Sequence, residues 1–303
     1  MTPAEDILES RTREWQIYSG AMNQLYSSSI RDIGNLFDEA AHLTDWYCNI
    51  SGDAILRNSQ IIRVLRYCVA PSISQMKLGQ LFGIRSTDKF ENSSVAPGTR
   101  RFDELAMIAG GLAEHASEHL DRSRFIWLDE ALSQDQREYA YEFAKRWTCS
   151  IVSDQSAQTS YRNWRKSTQE DEVAKHIEAS GYNLSGPIGM IRRQDDLRPG
   201  EYTKEVKIQG RTRQKADLAI RSARNNRLIL IEAKAVGVEI DSAKRIKECC
   251  DKSSDWRSAE ALGNPVVVAV IAGFFNPTGI QNLQASNISV VWEHRLSDLE
   301  EVL

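Results

Sequence analysis

One short stretch of the sequence combines the pattern of a buried strand with two charged residues. Residues 228–235 read LILIEAKA, so four branched apolar residues run directly into Glu232, and Lys234 follows two positions later. A continuous apolar run predicts a strand that is covered on both faces, which is a costly place for a carboxylate and an ammonium. Side chains two apart on a strand point to the same face. Glu232 and Lys234 are therefore expected to lie together.

A second carboxylate is expected beside this pair. Asp217 lies in KADLAIRS, a predicted strand that an Asn-Asn turn joins to the next one. If this hairpin forms in register, Asp217 and Glu232 converge at one end of the sheet. Two carboxylates suit Mg²⁺, with waters and a substrate phosphate completing its shell. Lys234 could then orient or help deprotonate a water, or hold the phosphate. The pattern thus predicts metal-assisted hydrolysis of a phosphodiester bond, with Asp217 and Glu232 as metal ligands.

A further carboxylate comes from the preceding helical segment, RNWRKSTQEDEVAKHIEAS. Val173 and Ile177 set the apolar face of this segment. At 100° per residue Glu170 falls close to that face, whereas Glu172 points away from it. Glu170 is therefore the better candidate for an additional metal or water ligand, and Glu172 is expected to be solvated.

The chain contains a second Glu-x-Lys triplet. Glu205 and Lys207 lie in TKEVKIQG, which alternates like a half-exposed strand with charged flanks. A surface pair is the favoured interpretation there. The apolar run before Glu232 and the hairpin partner Asp217 favour the Glu232 triplet as the reactive one, although a structural salt bridge remains the alternative at that position.

The segments around these residues change in character near residue 160. Residues 1–160 carry apolar residues at three- and four-residue spacing, which predicts a helical N-terminal domain that grips DNA or pairs subunits. Residues 161–303 predict a helix, three strands, a helix, a strand, a helix and a strand. A strand meander followed by helical crossovers gives a mixed sheet flanked by helices. The second region is therefore predicted to be an α/β (α+β) catalytic domain.

The Asp, then Glu-x-Lys, on adjacent strands after a Glu-bearing helix resembles the PD-(D/E)xK nuclease superfamily. The longer pattern, in KADLAIRSARNNRLILIEAKA and VVVAVIAGFFNPTGIQNLQASNISVVWEH among other segments, is similar to type II restriction endonucleases of the XamI kind. Ala216 stands where the superfamily name has proline. The resemblance implies a restriction-endonuclease-like fold. It also implies a Mg²⁺-dependent type II site-specific deoxyribonuclease, which cuts double-stranded DNA at a short sequence within a restriction-modification system.

The formal net charge is −4, but the basic residues are concentrated in one part of the chain. Residues 192–257 hold 17 lysines and arginines against 11 aspartates and glutamates. A local basic field attracts phosphates even on an acidic protein, although a solvated basic face would have the same composition. The candidate DNA-binding residues in this region are Lys244, Arg245, Lys247, Arg213 and Lys215.

The composition bears on the cellular location of the protein. No apolar run approaches the roughly 20 residues that span a bilayer, and the N-terminal residues contain no apolar secretory segment. Five cysteines occur, none of them in a CxxC pair, which argues for reduced thiols and a cytoplasmic location. The expected partners are double-stranded DNA, a second copy of the chain in a homodimer and a methyltransferase acting on the same DNA site, with no membrane.

Two other functions remain open from the sequence. One is a non-catalytic protein that binds DNA or a partner on a degenerate nuclease fold. The other is a zinc peptidase, because HASEH places His115 and His119 one helical turn apart in an H-x-x-E-H pattern. These histidines continue an apolar helical stripe, so packed, partly buried histidines are the favoured interpretation.

Overall fold

The computed structural model describes residues 3–303. The chain forms two compact units, one comprising the N-terminal residues through Ala21 with Tyr161–Leu303, and the other Met22–Ser160. The helices are α1 (Pro3–Leu43), α2 (Gly52–Arg57), α3 (Ile62–Cys68), α4 (Gln75–Leu81), α5 (Asp88–Glu91), α6 (Arg100–His119), α7 (Gln134–Ala179), α8 (Glu239–Arg257) and α9 (Pro277–Ala285). The strands are β1 (Asn183–Leu184), β2 (Met190–Ile191), β3 (Glu201–Ile208), β4 (Lys215–Arg221), β5 (Leu228–Val236), β6 (Val266–Gly273) and β7 (Ser289–Trp292).

The unit Met22–Ser160 is helical, as predicted for this part of the chain. Its core includes Ile33 and Phe37 of α1, Leu65 of α3 and Ile108 of α6, all with no exposed surface. Helix starts follow ordinary capping chemistry: the Thr99 side chain accepts a hydrogen bond from the backbone of α6. The apolar periodicity seen in the sequence is therefore the periodicity of a helix-on-helix core.

Helix α7 is longer than the sequence pattern indicates. The periodicity predicts one helix near residue 133 and another near residue 162, but α7 runs without interruption from Gln134 to Ala179. Its apolar positions serve two different clusters, Ala144 and Val152 in one and Val173 and Ile177 in the other. The apolar face changes along the helix, and the residues between the two clusters are mostly polar. The apolar periodicity is therefore interrupted although the helix continues.

The sheet has seven strands in the order β1-β3-β4-β5-β6-β7, with β2 also paired to β3. Strands β3, β4 and β5 pair antiparallel, whereas β5, β6 and β7 pair parallel, with α8 and α9 between them in sequence. The predicted α/β class, with a mixed sheet flanked by helices and a helical N-terminal region, is confirmed. The two-residue strands β1 and β2 were not predicted, because such short strands carry no periodicity.

Helices cover both faces of the central strand β5. On one face Ile229 and Ile231 pack in a cluster with Val173 of α7. On the other, Leu230 belongs to a cluster that contains Trp256 of α8. Alternation along the strand therefore directs the side chains of Glu232 and Lys234 toward α8. Across residues 3–303, the structure contains no helix that is both long and apolar enough to cross a membrane.

Candidate active site

Two carboxylates meet where β4 and β5 pair. The antiparallel register joins Leu218 to Ile231, and one further step places Asp217 opposite Glu232. The backbone N–H of Ala233 donates a 2.9 Å hydrogen bond to Asp217 Oδ2. The side chain of Asp217 thus continues the pairing of the two strands and is fixed against β5. The predicted hairpin forms in the register that this convergence requires.

Lys234 lies between the two carboxylates. Its Nζ donates to Asp217 Oδ2 at 3.1 Å and lies 2.6 Å from Glu232 Oε2, the latter an ion pair without directed hydrogen-bond geometry. The side chain of Glu232 is 1% exposed and that of Lys234 is 12% exposed. A pair this deeply buried is held by mutual neutralisation, because either charge alone would be costly there.

Burial and charge set the protonation of this pair. Burial raises the pKa of Glu232, and the two nearby lysines only partly offset that effect. Burial alone would lower the pKa of Lys234, but Glu232 and Asp217 more than reverse this and hold it above its usual range. The charged form of Lys234 is thus favoured, and its ammonium donates a hydrogen bond to Asp217.

Sequence reasoning missed a second lysine at Glu232. Lys252 of α8 donates a 2.7 Å hydrogen bond to Glu232 Oε1, and its side chain is 19% exposed. The lysine also donates to the backbone carbonyl of Lys215. Lys252 stands one helical turn before Trp256, which packs under the sheet. That spacing was a signal that Lys252 shares the buried face of α8, unlike the other basic residues of this helix.

Glu170 approaches the site from α7. Its side chain is 13% exposed, and its Oε1 lies 3.3 Å from Lys166 Nζ without a directed hydrogen bond. The pKa of Glu170 is raised, first by burial and then by the negative charge of Asp217. The two carboxylates are therefore close enough to repel each other. Glu172 is exposed, on the other side of the helix. The positions of Glu170 and Glu172 agree with the helix phase inferred from Val173 and Ile177.

The other Glu-x-Lys triplet has a different environment. Glu205 sits at a positive φ of 48°, and both Glu205 and Lys207 are exposed. Glu205 pairs with Lys215 at 2.6 Å and with Lys166 at 3.4 Å, rather than with Lys207. Lys166 thereby links Glu205 to Glu170, and a short chain of charges extends from the buried carboxylates to the surface.

The candidate DNA-binding residues lie on two surface segments of this unit. Lys244, Arg245 and Lys247 are exposed on α8, where Arg245 also pairs with Glu248. Arg213 and Lys215 are exposed where the β3–β4 turn enters β4. All five are exposed to solvent, with Arg245 paired to Glu248 and Lys215 paired to Glu205, and Lys215 is the first residue of β4, two positions before Asp217.

The histidines of HASEH do not assemble into a metal site. The rings of His115 and His119 lie 4.4 Å apart on α6, and His119 is 3.7 Å from Glu118. Nowhere in residues 3–303 do three or more His, Cys, Asp or Glu side chains cluster as ligands for a metal ion. The His115 stripe is thus part of a helical packing face, with Leu112 buried one turn earlier.

The carboxylates near β5 nevertheless suit a hard cation. Mg²⁺ in proteins is commonly held by one or two carboxylates, with waters and substrate phosphates as the other ligands. Asp217 and Glu232 supply oxygen donors alone, and Glu170 Oε1 is buried with no hydrogen-bond partner. These carboxylate oxygens are hard donors, which fit Mg²⁺.

Comparison with known proteins identifies the family. The family model of the XamI restriction endonucleases matches residues 47–292, most of the chain. The chain belongs to this family. XamI-family membership confirms the resemblance seen in the sequence, and it makes the protein a restriction endonuclease, a hydrolase that acts on DNA. The match spans both compact units, so the helical unit is part of the family's common sequence.

Two individual proteins resemble this XamI-family chain. The type II restriction enzyme SalI from Streptomyces albus G is 23% identical over 284 residues, which cover 90% of this chain and 86% of that enzyme. The crystal structure of protein VC1899 from Vibrio cholerae matches with a TM-score of 0.27 and 16% identity, over 88% of this chain and 55% of that one. The chain spans about half the length of VC1899, and a TM-score this low carries no information on function.

Proposed function

We propose that this restriction endonuclease is a Mg²⁺-dependent type II enzyme that cuts double-stranded DNA at a specific short sequence, with a PD-(D/E)xK active site formed by Asp217, Glu232, Lys234 and Glu170. One observation carries the proposal: carboxylates from two paired strands converge on a single buried lysine in an otherwise apolar part of the sheet. Stability alone favours apolar residues at such positions. The presence of Asp217, Glu232 and Lys234 at these positions therefore supports a catalytic role.

Asp217 and Glu232 are the residues that would hold Mg²⁺. The strand pairing fixes both, and Ala233 N–H further orients Asp217. When bound, Mg²⁺ supplies Lewis-acid polarisation of the phosphate and lowers the pKa of a water. The two carboxylates would also set the position of the phosphodiester relative to Lys234, because substrate phosphate oxygens complete a shell that two protein ligands leave open.

Lys234 is the group that would stabilise the charge of the reacting phosphate. Its pKa lies above the usual range, so its ammonium donates hydrogen bonds at neutral pH. A fixed donor in a buried site stabilises developing negative charge without reorganising when the reaction occurs. Among the roles suggested by the sequence, holding the phosphate and orienting a water use the ammonium as a hydrogen-bond donor, as it acts toward Asp217 here.

Glu170 would accept a hydrogen bond from the attacking water or ligate a second cation. Burial and the charge of Asp217 raise its pKa, which makes the carboxylate a better proton acceptor than a solvated one. Lys166 keeps it oriented, since that lysine contacts both Glu170 and Glu205. Glu170 would thus reach the reacting phosphate from α7, whereas Asp217 and Glu232 would reach it from the sheet.

The basic residues of the same unit would contact the DNA backbone. Lys244, Arg245 and Lys247 on α8, with Arg213 and Lys215 at the β3–β4 turn, present exposed cations on the segments that flank β4 and β5. Phosphate contacts position the duplex but do not read its sequence. A homodimer would place two such sites on a palindromic target, and a methyltransferase acting on that target would protect the host DNA.

Incubation of the purified chain with unmethylated phage DNA tests the proposed function. Discrete fragments that appear with Mg²⁺ and disappear with a chelator are expected. Asp217→Asn is the matched control, because it keeps the side-chain shape and removes the charge. Retarded but uncut DNA would instead favour the non-catalytic DNA-binding alternative. Fragments that persist in the chelator would exclude the metal requirement.

A further inference from the structure

The buried carboxylate of Glu232 carries one lysine on each of its oxygens. Lys234 lies 2.6 Å from Oε2, and Lys252 lies 2.7 Å from Oε1. Within this cluster the two carboxylates of Asp217 and Glu232 are balanced by two ammonium groups. A divalent cation on Glu232 would leave an excess of positive charge at a site that is nearly closed to water, unless one lysine withdrew.

The two lysines differ in how readily they can withdraw. Lys234 is held on the strand itself, because Asp217 Oδ2 and the Ala233 carbonyl also accept from its Nζ. Lys252 reaches Glu232 from another element, α8, through a flexible four-carbon stem, and its side chain is the more exposed of the two. The Lys215 carbonyl already accepts from its Nζ at 2.7 Å, so Lys252 retains a partner if it leaves the carboxylate.

We infer that Lys252 is a positioning residue that competes with the divalent cation for Glu232. The inference rests on the proposed function, in which Glu232 is a metal ligand. Lys252 neutralises Glu232 and keeps it directed into the site, then yields Oε1 when the cation binds. Its ammonium is then released next to Lys215, one of the candidate phosphate contacts. Lys252 thus sets the affinity for the cation without being a ligand itself.

Cation binding to the DNA-free protein tests this role. We expect Lys252→Met to unfold at a lower temperature than the natural chain, but to bind Mg²⁺ or Mn²⁺ about tenfold more tightly in calorimetry, since a unit charge a few ångströms away is removed. Lys252→Arg keeps the charge and should restore the natural affinity. Lys175→Met, at an exposed lysine of α7, is the matched control and should change neither quantity. Unchanged or weaker cation binding by Lys252→Met would overturn the inference, as would failure of both proteins to bind the cation.

A second measurement uses the natural chain and does not depend on a variant that folds. Acetylation of lysines with acetic anhydride, followed by mass spectrometry, reports how accessible each ammonium is. Labelling of Lys252 should rise severalfold when Mg²⁺ is added, while that of Lys175 stays constant. Constant protection of Lys252 would contradict its withdrawal.

The two proposals can fail separately. A protein that binds the cation, releases Lys252 and never cuts DNA would refute the proposed function and leave the role of Lys252 intact. A protein that cuts DNA with Mg²⁺, but whose Lys252 stays protected and whose Lys252→Met variant binds the cation with natural affinity, would refute only the role of Lys252.

Discussion

The same three-residue pattern occurs twice in one sheet with opposite outcomes. In β3, Glu205 is exposed and has a positive φ, and its partners are Lys215 and Lys166 rather than Lys207 of its own triplet. In β5, Glu232 is 1% exposed and is paired with the lysine of its own triplet. The difference arises from the flanking residues, because four apolar residues place Glu232 in a strand that α7 and α8 both cover, whereas charged Lys204 precedes Glu205.

The pKa values of the two glutamates also move in opposite directions. The side-chain hydrogen bond from Lys215 lowers the pKa of Glu205. Burial raises the pKa of Glu232 although it has two lysine partners. A glutamate at the surface gains from its partner without losing much hydration, whereas one inside the sheet loses most of its hydration first.

The largest effect should follow from removing a carboxylate of the β5 site. Asp217→Asn and Glu232→Gln should each lower the single-turnover cleavage rate by about a thousandfold or more, roughly 4 kcal/mol of transition-state stabilisation. Both variants lose a proposed metal ligand with little change of shape. Glu205→Gln, the equivalent change in the other triplet, should stay within about threefold, or roughly 0.7 kcal/mol. Circular dichroism checks that each variant folds, and near-natural cutting by a folded Asp217→Asn would remove Asp217 from the site.

The lysines of the two triplets give the next contrast. Lys234→Met should lower the cleavage rate by about a hundredfold or more, roughly 2.7 kcal/mol, because it removes the buried donor that is proposed to stabilise the reacting phosphate. Lys207→Met should have little effect, since the side chain of Lys207 is exposed. Single-turnover rates at saturating Mg²⁺ compare them. The reverse ranking would transfer the active site to the β3 triplet.

This contrast shows how much the sequence alone could predict. An apolar run specifies a buried strand, so the pairing of β4 with β5 and the convergence of Asp217 with Glu232 were predictable. Lys166 was not singled out, because a lysine on a helix has the same local pattern whether it reaches a buried carboxylate or solvent. Lys252 was not assigned to Glu232, although its spacing from Trp256 indicates the buried face of α8. The continuity of α7 was also missed, since periodicity records which face is covered and not whether the helix continues.

A smaller effect should separate the two glutamates of α7. Glu170→Gln should lower the cleavage rate by at least about tenfold, roughly 1.4 kcal/mol, because Glu170 lies near Asp217 and would order the attacking water. Glu172→Gln is the matched control and should change the rate little, since Glu172 lies on the exposed side of the helix. Greater sensitivity at Glu172 would move the third carboxylate half a turn around α7 and leave the strand pair unaffected.

The smallest effect is a difference in how stability depends on pH, and it probes the two triplets without DNA or cation. The folded-state pKa of Glu232 is raised, so the stability that Glu232 contributes is present below its unfolded-state pKa and is lost as the pH rises through the folded-state value. The pKa of Glu205 is lowered, so its contribution is present above the unfolded-state pKa and is lost as the pH falls through the folded-state value. Glutamine does not titrate. Relative to the natural chain, Glu232→Gln should therefore gain free energy of unfolding from acidic to neutral pH, and Glu205→Gln should lose it. Urea unfolding at several pH values measures both trends in a chelator, and trends of the same sign would show that the two glutamates are not in opposite environments.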